Sequence, residues 1–272
     1  MNGAAIKVRF WGVRAHIPVP GPETADFGGN TPCVEVRCGP HLLIFDSGTG
    51  IRLLGQNLGA SPVDADLFYA HTQFDRICGL PFFASAFNPK NTFRIWAGHL
   101  DGDETVKGVL TQLMTDPLFP VPITIMRAQL EFHDFRAGAT LAPKPGIVVR
   151  TEGFNWTRPV TGYRVEFGGK AFCYLSDVKR GVEVSADAVL TLIRGADIVA
   201  FNAARDPSME GGHADDGWRW GAELCQSAGV GTYVITNHRQ GDDDAALHRL
   251  EKDAEVARPG SVVAREGTVL AA

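Results

Sequence analysis

The sequence of 272 residues predicts a layered α/β sandwich. Three observations support this fold class. Short apolar segments typical of strands dominate the first two thirds of the chain, strands and helices alternate in the last third, and the helices can cover two sheets. Because no linker, repeat or low-complexity tract divides the sequence, we predict a single domain over residues 1–272.

The first half of the chain is predicted to be rich in strands. Residues 41–45 form a continuously apolar strand that runs into a glycine-rich turn at 46–50, and a helix follows the turn. The strands predicted in this half cover residues 6–13, 33–38, 41–45, 66–70, 93–97 and 129–132, and the helices cover 51–58 and 103–113.

The second half is predicted to contain a hairpin followed by alternating helices and strands. The hairpin joins residues 160–167 to 171–175 through a turn at Gly168, Gly169 and Lys170. The other strands predicted here cover residues 146–151, 197–201, 231–236 and 261–265, and the helices cover 186–194, 220–228 and 242–257.

Charge and composition exclude some classes of partner. A formal net charge of −5 gives no global reason to expect bulk nucleic-acid binding or attachment to an acidic membrane. The first residues lack the apolar core of a signal peptide, and no segment approaches the ~18 apolar residues that span a bilayer. The five cysteines are scattered, which indicates free thiols in a reducing compartment. We therefore expect a cytoplasmic protein with no membrane partner.

The segment HTQFDR at residues 71–76 is the most informative motif. It directly follows the predicted strand 66–70, so its side chains project from the end of a buried strand. Histidines in place of Gln73 and Arg76 would make it H-x-H-x-D-H, a metal-binding signature. Glutamine is a poor zinc ligand, and arginine cannot coordinate a metal because it is permanently cationic.

Other motifs extend this observation: VRFWGVR at 8–14, DSGTG at 46–50, GLPFF at 79–83 and GYR at 162–164. With HTQFDR, they make the chain resemble the metallo-β-lactamase-fold superfamily, on the branch of ribonuclease Z and related phosphodiesterases. The resemblance implies a four-layer αβ/βα sandwich with its site at one edge. It also implies two metal ions, mostly zinc, which activate a bridging water for attack on a phosphodiester, ester or amide.

The resemblance further implies which metal-binding positions this chain keeps and which it has replaced. The positions that keep a residue capable of binding a metal are His71, Asp75, Asp177 and His238. The positions at which a family histidine is replaced are Gln73, Arg76, Trp156 and Trp220.

Arg76 weighs against a bound metal. A positive group within ~4 Å of a metal ion costs about 4 kcal/mol per unit charge of the ion at an effective dielectric constant of about 20. The same group can neutralise Asp75 and Asp177 and pair with them in a bidentate way. We therefore predict no cofactor. The alternative is one zinc or manganese ion held by Asp75, Asp177 and His238.

These residues favour binding rather than catalysis. Without a metal, the hydrolysis typical of the family loses its activated water, and no replacement nucleophile is evident. We predict a catalytically degenerate binding or regulatory module for an anionic nucleotide, such as a cyclic dinucleotide. Guanidinium groups bind phosphates and indoles stack on bases. The predicted ligand-binding residues are Arg76, Trp156, Arg158, Trp218, Arg219, Trp220 and Arg239.

Two alternatives stay open. The first is a metal-dependent hydrolase that acts on phosphodiester or other ester bonds through the single-metal site. The second is an interaction module, in which the apolar segment at residues 116–122 covers a partner or acts as a lid. The resemblance also implies a homodimer.

Overall fold

The computed structural model describes residues 5–155, 157–179, 185–204 and 216–272. Within these ranges the strands form two seven-stranded sheets. The first sheet consists of β1 (Ile6–Gly12), β2 (Cys33–Cys38), β3 (His41–Phe45), β4 (Asp64–Tyr69), β5 (Thr92–Ala97), β6 (Gln129–Asp134) and β14 (Val269–Ala271). Its spatial order is β14-β1-β2-β3-β4-β5-β6, and it is parallel from β3 to β6.

The second sheet consists of β7 (Thr140–Leu141), β8 (Val148–Phe154), β9 (Val160–Phe167), β10 (Lys170–Lys179), β11 (Ile198–Ala204), β12 (Thr232–Ile235) and β13 (Val262–Val263). Its spatial order is β13-β12-β11-β10-β9-β8-β7. The strands from β10 to β13 are parallel, whereas those from β7 to β10 are antiparallel. Both sheets therefore have a parallel part next to an antiparallel part.

Helices follow the parallel strands, because a parallel connection must cross over one face of the sheet. In the first sheet, β3, β4 and β5 are followed along the chain by α1 (Ile51–Leu58), α2 (Phe74–Ile77) and α3 (Val106–Leu113). In the second sheet, β10, β11 and β12 are followed by α4 (Ala186–Ile193), α5 (Asp216–Ser227) and α6 (Asp244–Ala257). Short 3-10 helices occupy Pro22–Thr24, Leu80–Phe82, Ala84–Phe87 and Ile123–Ile125.

The core consists of three apolar layers. Between the sheets, Phe45 of β3 stacks on Phe68 of β4 and packs edge-on against Tyr163 of β9. A second layer lies between the first sheet and α1 and α3. A third layer lies between the second sheet and α4, α5 and α6. The order helix, sheet, sheet, helix confirms the predicted α/β class and the four-layer sandwich.

Several element boundaries differ from the sequence prediction. Helix α3 begins at Val106 rather than at residue 103, because Thr105 caps it by accepting a hydrogen bond from Gly108 N. Helix α5 begins at Asp216 rather than at residue 220, and α6 begins at Asp244 rather than at 242. The prediction omits β7 and β14, since two or three residues are too few to show a hydrophobic period.

The hairpin between β9 and β10 is tighter than predicted. Lys170 pairs with Phe167 as the first residue of β10, so Gly168 and Gly169 alone form the turn. Their φ values are 59° and 77°. Positive φ at both central positions is what a type I′ turn requires, and glycine adopts it without steric cost.

The cysteines and the helices bear on two further expectations. All five cysteines carry free thiols. Burial raises the pKa of Cys38 and of Cys173 to about 12, so both thiols stay protonated at neutral pH. In the part of the chain that the structure describes, no helix has both the length and the hydrophobicity that crossing a bilayer demands. The single domain over residues 1–272 stays a prediction.

Candidate functional site

The candidate site lies at an edge where the ends of strands from both sheets meet. Asp46 follows β3, the motif at 71–76 follows β4, Asn155 follows β8, Asp177 lies near the end of β10, and Asn237 follows β12. In sheets of this kind, side chains and loops that follow the carboxyl ends of parallel strands form the binding crevice. The local sequence therefore delivers polar side chains to one place.

The backbone at this edge is strained. Among the described residues, the non-glycine residues with positive φ, between 56° and 68°, are His16, Asp46, Asn155, Asp177 and Asn237. Left-handed backbone is costly for a residue with a Cβ atom and is concentrated at functional sites. Hydrogen bonds fix these segments, since His16 N donates to Asp75 Oδ2 at 3.0 Å and Asn155 Nδ2 donates to Asp177 O at 2.7 Å.

Arg76, in α2, is the centre of the site and is fully buried. Its Nε lies 3.3 Å from Asp75 Oδ2, and its Nη1 lies 3.5 Å from Asp46 Oδ2. Its Nη2 donates to Asp177 Oδ2. One guanidinium is therefore in contact with three carboxylates that come from three different segments. We call Arg76, Asp46, Asp75 and Asp177 the Arg76 cluster.

Neutral groups complete the surroundings of the guanidinium. Tyr174 OH donates to Asp46 Oδ2 at 2.8 Å, and Arg76 Nη1 donates to Tyr174 OH at 3.5 Å. The hydrogen-bonding pattern assigns the amide oxygen of Asn237 to the side that faces Arg76, where it accepts from Nη1 at 3.3 Å and from Nη2 at 3.2 Å. The arginine is thus held by neutral acceptors as well as by carboxylates.

Asp46 and Asp177 respond oppositely to this environment. Burial raises the pKa of Asp46, and the charges of Arg76 and His71 offset this only in part. Burial also opposes ionisation of Asp177, but Arg76 and the hydrogen bond from His71 outweigh it and hold the pKa of Asp177 well below its usual range. His71 Nε2 lies 2.8 Å from Asp177 Oδ2, and Asn202 Nδ2 donates to Oδ1 at 3.0 Å. Asp177 is therefore firmly held as an anion.

The donors of the Arg76 cluster do not fit a metal ion in this arrangement. Zinc binds nitrogen and oxygen ligands at about 2.0–2.2 Å, whereas all three carboxylates face the guanidinium. His71 Nε2 contacts Asp177, and His71 Nδ1 accepts from Gln73 N at 3.3 Å. Within the described ranges, no group of three or more His, Cys, Asp or Glu side chains has a geometry that could hold a metal.

His238 lies apart from this cluster. Its Nε2 donates to Ala264 O at 2.7 Å, and its ring packs edge-on against Phe27. Burial lowers the pKa of His238 to about 4, so the imidazole is neutral at physiological pH. Across the described residues, the structure does not join His238 to Asp75 and Asp177 in a metal-binding group. Its hydrogen bond to Ala264 turns the ring toward the strand segment that ends the second sheet.

The tryptophans predicted to bind a ligand have separate environments. Trp220 is 7% exposed and packs against Phe201 in the core below α5. Trp218, two residues earlier, is half-buried, and the guanidinium of Arg219 lies 4.4 Å from the centre of its ring. This cation–π contact leaves Arg219 on the outer side of the helix. Trp156 lies outside the described residues.

The two remaining predicted arginines are exposed. Arg158 lies on the loop between β8 and β9, beyond Asn155. Arg239 lies beyond Asn237 and forms a salt bridge with Asp242 at 2.7 Å. Both loops therefore run from the buried cluster to a positive side chain at the surface, whereas Arg76 itself has no exposed atoms to offer a ligand.

Sequence reasoning missed Asp46 and Tyr174. Asp46 looked like an ordinary turn residue of the DSGTG motif, and Tyr174 looked like a core residue of a strand. A signal for Asp46 does exist in the sequence. A buried guanidinium has five N–H donors and needs several acceptors, and Asp46 directly follows the most apolar strand of the first half.

Comparison with known proteins identifies the family. Residues 41–238 match the model of the beta-lactamase superfamily domain. The chain therefore belongs to the beta-lactamase superfamily and is hydrolase-like in its fold, which confirms the resemblance seen in the sequence. Ribonuclease BN from Citrobacter koseri is 27% identical over 143 residues, which are 51% of this chain and 42% of that protein. The match thus spans less than half the length of this curated relative.

Solved structures support the same fold over almost the whole chain. The metallo-beta-lactamase fold protein YhfI from Bacillus subtilis has a TM-score of 0.69 and 16% identity, covering 97% of this chain and 99% of that one. Zn²⁺-bound PqqB from Methylobacterium extorquens has a TM-score of 0.66 and 16% identity, covering 98% of this chain and all of that one. The second of these structural neighbours holds zinc.

Proposed function

We propose that this chain is a catalytically degenerate member of the superfamily that works as a metal-independent binding or regulatory module. The observation that carries the proposal is the contact of the fully buried Arg76 with Asp46, Asp75 and Asp177. A guanidinium keeps its charge throughout the physiological pH range, so it opposes the entry of a metal cation into the same space. Arginine cannot itself generate the activated water that a bound metal supplies.

The proposed ligand is an anionic nucleotide, such as a cyclic dinucleotide, at the surface above the Arg76 cluster. Arg158 and Arg239 lie on the two loops that carry Asn155 and Asn237, and both are exposed. Guanidinium groups bind phosphate oxygens through paired hydrogen bonds. Phe74, at the start of α2, has 66% of its surface exposed and offers an aromatic face for a base. Two arginines and one aromatic side chain thus lie on segments that adjoin the edge of the sheets where the Arg76 cluster is found.

A metal-dependent phosphodiesterase is the second candidate. Two observations favour it: the strained backbone at Asp46 and Asp177 resembles that of a working active site, and the Asp177 side chain is 18% exposed. In this case one zinc or manganese ion would bind Asp75, Asp177 and His238. Arg76 would have to leave the cluster, and His238 would have to leave Ala264 O.

Metal content and hydrolysis together distinguish the two candidates. The purified chain is incubated with ZnCl₂ or MnCl₂, dialysed, and measured by elemental analysis. Turnover of bis-p-nitrophenyl phosphate is then measured with and without added metal. We expect metal far below one equivalent and no turnover above the buffer rate. Stoichiometric metal with metal-dependent turnover would overturn the proposal in favour of the hydrolase.

A nucleotide panel tests the proposed ligand class. Thermal unfolding is measured with cyclic dinucleotides, cyclic mononucleotides and nucleoside diphosphates, and a specific ligand at 100 times its dissociation constant should stabilise the fold by about 2.7 kcal/mol. Arg158→Ala should abolish the shift. Arg150→Ala is the matched control, because Arg150 is an exposed arginine that pairs with Glu166 on the second sheet. A flat panel contradicts the nucleotide ligand.

The apolar segment at residues 116–122 supports an interaction role as well. Leu118 is 80% exposed, and Phe119 contacts the exposed Phe82 edge-on at 5.9 Å between ring centres. Exposed apolar side chains of this size often lie in interfaces. A homodimer stays a prediction, and sedimentation velocity of the full chain tests it.

A further inference from the structure

A surface loop runs from the candidate site to helix α6 and returns. Its ends are close together, because Val13 N donates to Asn30 O at 2.9 Å. Compact surface loops whose ends meet in this way are Ω-loops, and we call residues 15–29 the Ω-loop. Near its start, His16 N donates to Asp75 Oδ2 at 3.0 Å. The Ω-loop therefore lies directly beside the candidate site.

The end of the Ω-loop is anchored on α6 and on the segment that follows β13. The Phe27 side chain is fully buried, and the guanidinium of Arg265 lies 4.1 Å from the centre of its ring. The backbone N–H groups of Asp26 and Phe27 donate to the carboxylate of Asp244 at 2.9 and 3.1 Å. Residues 16–26, in contrast, are exposed or half-buried. The middle of the loop therefore depends on contacts at the protein surface.

His248 of α6 lies between two carboxylates, one of which belongs to the Ω-loop. Its Nε2 lies 3.2 Å from Asp26 Oδ2, and its Nδ1 lies 3.0 Å from Glu251 Oε2 on α6 itself. A neutral imidazole has a single N–H and can donate to only one of these oxygens, whereas a protonated imidazole donates to both. Both contacts are therefore hydrogen bonds only when His248 is protonated.

The charged groups in contact with the His248 ring are Asp26, Glu251 and Arg265. Arg265 Nη2 lies 3.5 Å from His248 Nδ1 and donates to both carboxylate oxygens of Glu251 at 2.8 and 2.9 Å. The hydrogen bond to Asp26 and the one to Glu251 raise the pKa of His248 above its ordinary value of 6.5, although the charge of Arg265 opposes this. Phe27 packs edge-on against the imidazole at 5.1 Å between ring centres.

We infer that His248 is a pH-sensitive latch between α6 and the Ω-loop, and that loss of its proton loosens the loop beside the candidate site. The protonated ring holds Asp26 to α6, whereas a neutral ring can keep only one of its two carboxylate partners. Opening of the loop also weakens the contact of His16 with Asp75. This regulation goes beyond the proposed function and requires no bound ligand.

The direction of the pH effect follows from the raised pKa of His248. A folded chain that binds a proton more tightly than the unfolded chain gains stability from that proton. The contribution is fully present below the ordinary value of 6.5 and is lost as the pH rises through the raised pKa. The Ω-loop should therefore be held more firmly in mild acid than in mild base.

Hydrogen exchange of the unsubstituted chain tests the latch. Exchange is followed by mass spectrometry between about pH 5.5 and about pH 8.5, with correction for the intrinsic pH dependence of amide exchange. Protection of residues 16–26 should fall by roughly two- to fivefold as the pH rises, which is the range expected for exposed ion pairs. Helix α3, which covers the first sheet, is the internal reference and should show no such fall.

Two variants remove the latch from its two sides. His248→Gln can still donate one hydrogen bond but does not titrate, and Asp26→Asn removes the carboxylate of the Ω-loop while it keeps the backbone contact with Asp244. In both variants the protection of the loop should be low and independent of pH. Asp253→Asn is the matched control, because Asp253 is an exposed aspartate of the same helix. This control should keep the pH dependence of the unsubstituted chain.

Proton NMR titration of the imidazole supplies a second measurement. The midpoint for His248 should lie above 6.5 in the unsubstituted chain and should move down in Asp26→Asn. The inference is overturned if loop protection in the unsubstituted chain does not change with pH, or if His248→Gln or Asp26→Asn keeps that change. It is also overturned if Asp253→Asn abolishes the change equally well.

The outcome is independent of the proposed function, because neither measurement uses a nucleotide or a metal. A nucleotide panel without any thermal shift would contradict the proposed ligand and leave the latch standing. Loop protection that ignores pH would overturn the latch alone.

Discussion

Two fully buried arginines, Arg76 and Arg14, lie in neighbouring parts of the molecule and are accommodated in different ways. Arg76 is in contact with three carboxylates. Arg14 donates to backbone carbonyl oxygens of Gly28, Arg239 and Asp242. Burial lowers the pKa of both guanidinium groups. At Arg76 the carboxylates, Asp177 first, outweigh burial and raise the pKa. At Arg14 the charges of Asp242, Asp244 and Glu266 offset burial only in part, so the pKa of Arg14 stays lowered.

The comparison shows that burial alone does not define what an arginine does. Carbonyl oxygens satisfy hydrogen-bond donors but carry no net charge, so Arg14 acts as a clamp that ties the segments near Gly28 and Asp242 together. The carboxylates around Arg76 supply the charge that a buried guanidinium requires. Removal of the Arg14 side chain therefore mainly breaks hydrogen bonds, whereas removal of the Arg76 side chain leaves buried negative charge.

The largest expected effect is that of Arg76→Leu. Loss of one partner from a buried ion pair costs about 3–5 kcal/mol, because the charges left behind are uncompensated. We expect a loss of this size in the free energy of unfolding, measured by urea denaturation followed by tryptophan fluorescence. A loss smaller than that of Arg14→Leu would mean that charge compensation at Arg76 is unimportant.

As the pH falls, the contribution of His238 to stability, next to Arg14, should be lost at a higher pH than the contribution of Asp177 in the Arg76 cluster. His238, which pairs in a β-bridge with Arg14, has its pKa lowered by burial from 6.5 to about 4. Between these values the unfolded chain binds a proton that the folded chain does not, so stability falls as pH falls. The shift corresponds to about 3 kcal/mol at about 1.4 kcal/mol per unit. The lowered pKa of Asp177 has the same sign, but its contribution is lost only below about pH 4.

Urea denaturation at several pH values between 7 and 4 measures how the free energy of unfolding falls with pH. His238→Gln is the control, because its amide nitrogen can still donate to Ala264 O but does not titrate. In this variant the free energy of unfolding should fall less steeply as the pH is lowered. Some decline should remain, because burial also lowers the pKa of His99 to about 3. An unchanged decline in the variant would rule out His238 as its source.

A smaller effect is expected for Arg14→Leu. The change removes two hydrogen bonds to the partly buried carbonyl oxygens of Gly28 and Asp242, each of which contributes about 0.5–1.5 kcal/mol. Urea denaturation gives the total loss. Hydrogen exchange should show faster opening at residues near 28 and 242, because Arg14 joins them. Uniform exchange changes over the chain would contradict the clamp.

The smallest expected difference lies within the Arg76 cluster. Asp46→Asn should cost less than Asp177→Asn by about 1–2 kcal/mol, because Arg76 Nη2 donates a close hydrogen bond to Asp177 whereas its Nη1 lies 3.5 Å from Asp46 Oδ2, and a hydrogen bond to a charged group contributes about 1.5–3 kcal/mol. Burial already raises the pKa of Asp46, whereas Arg76 and His71 hold Asp177 as an anion. Equal losses in urea denaturation would show that the carboxylates share the charge of Arg76 evenly.

Much of the fold follows from local sequence patterns. The run at 41–45, the alternation at 33–38 and the glycine pair at 168 and 169 each predict an element that the structure contains. The very short strands β7 and β14 could not be predicted, because their pairing depends on β8 and β1 rather than on their own residues. Helix starts also shifted by a few residues, since caps such as Thr105 depend on backbone geometry.

The candidate site was partly predictable. Arg76 stands in a motif that directly follows a strand, so its proximity to Asp75 could be anticipated from the sequence. The ring orientation of His238 could not, because Ala264, 26 residues away, accepts its hydrogen bond. The separate environments of Trp220 and Trp218 follow from helical geometry, in which residues two apart do not share a face.

The amino-acid sequence was sufficient to predict the fold class, and it showed a permanent positive charge, Arg76, in a motif that resembles a metal-binding signature. The acids that surround this charge became known only from the packing of the two sheets. Asp46 lies 30 residues and Asp177 101 residues from Arg76 along the chain. Packing of the two sheets brings these distant residues together, and the hydrophobic periodicity of the sequence contains no information about which of them become neighbours.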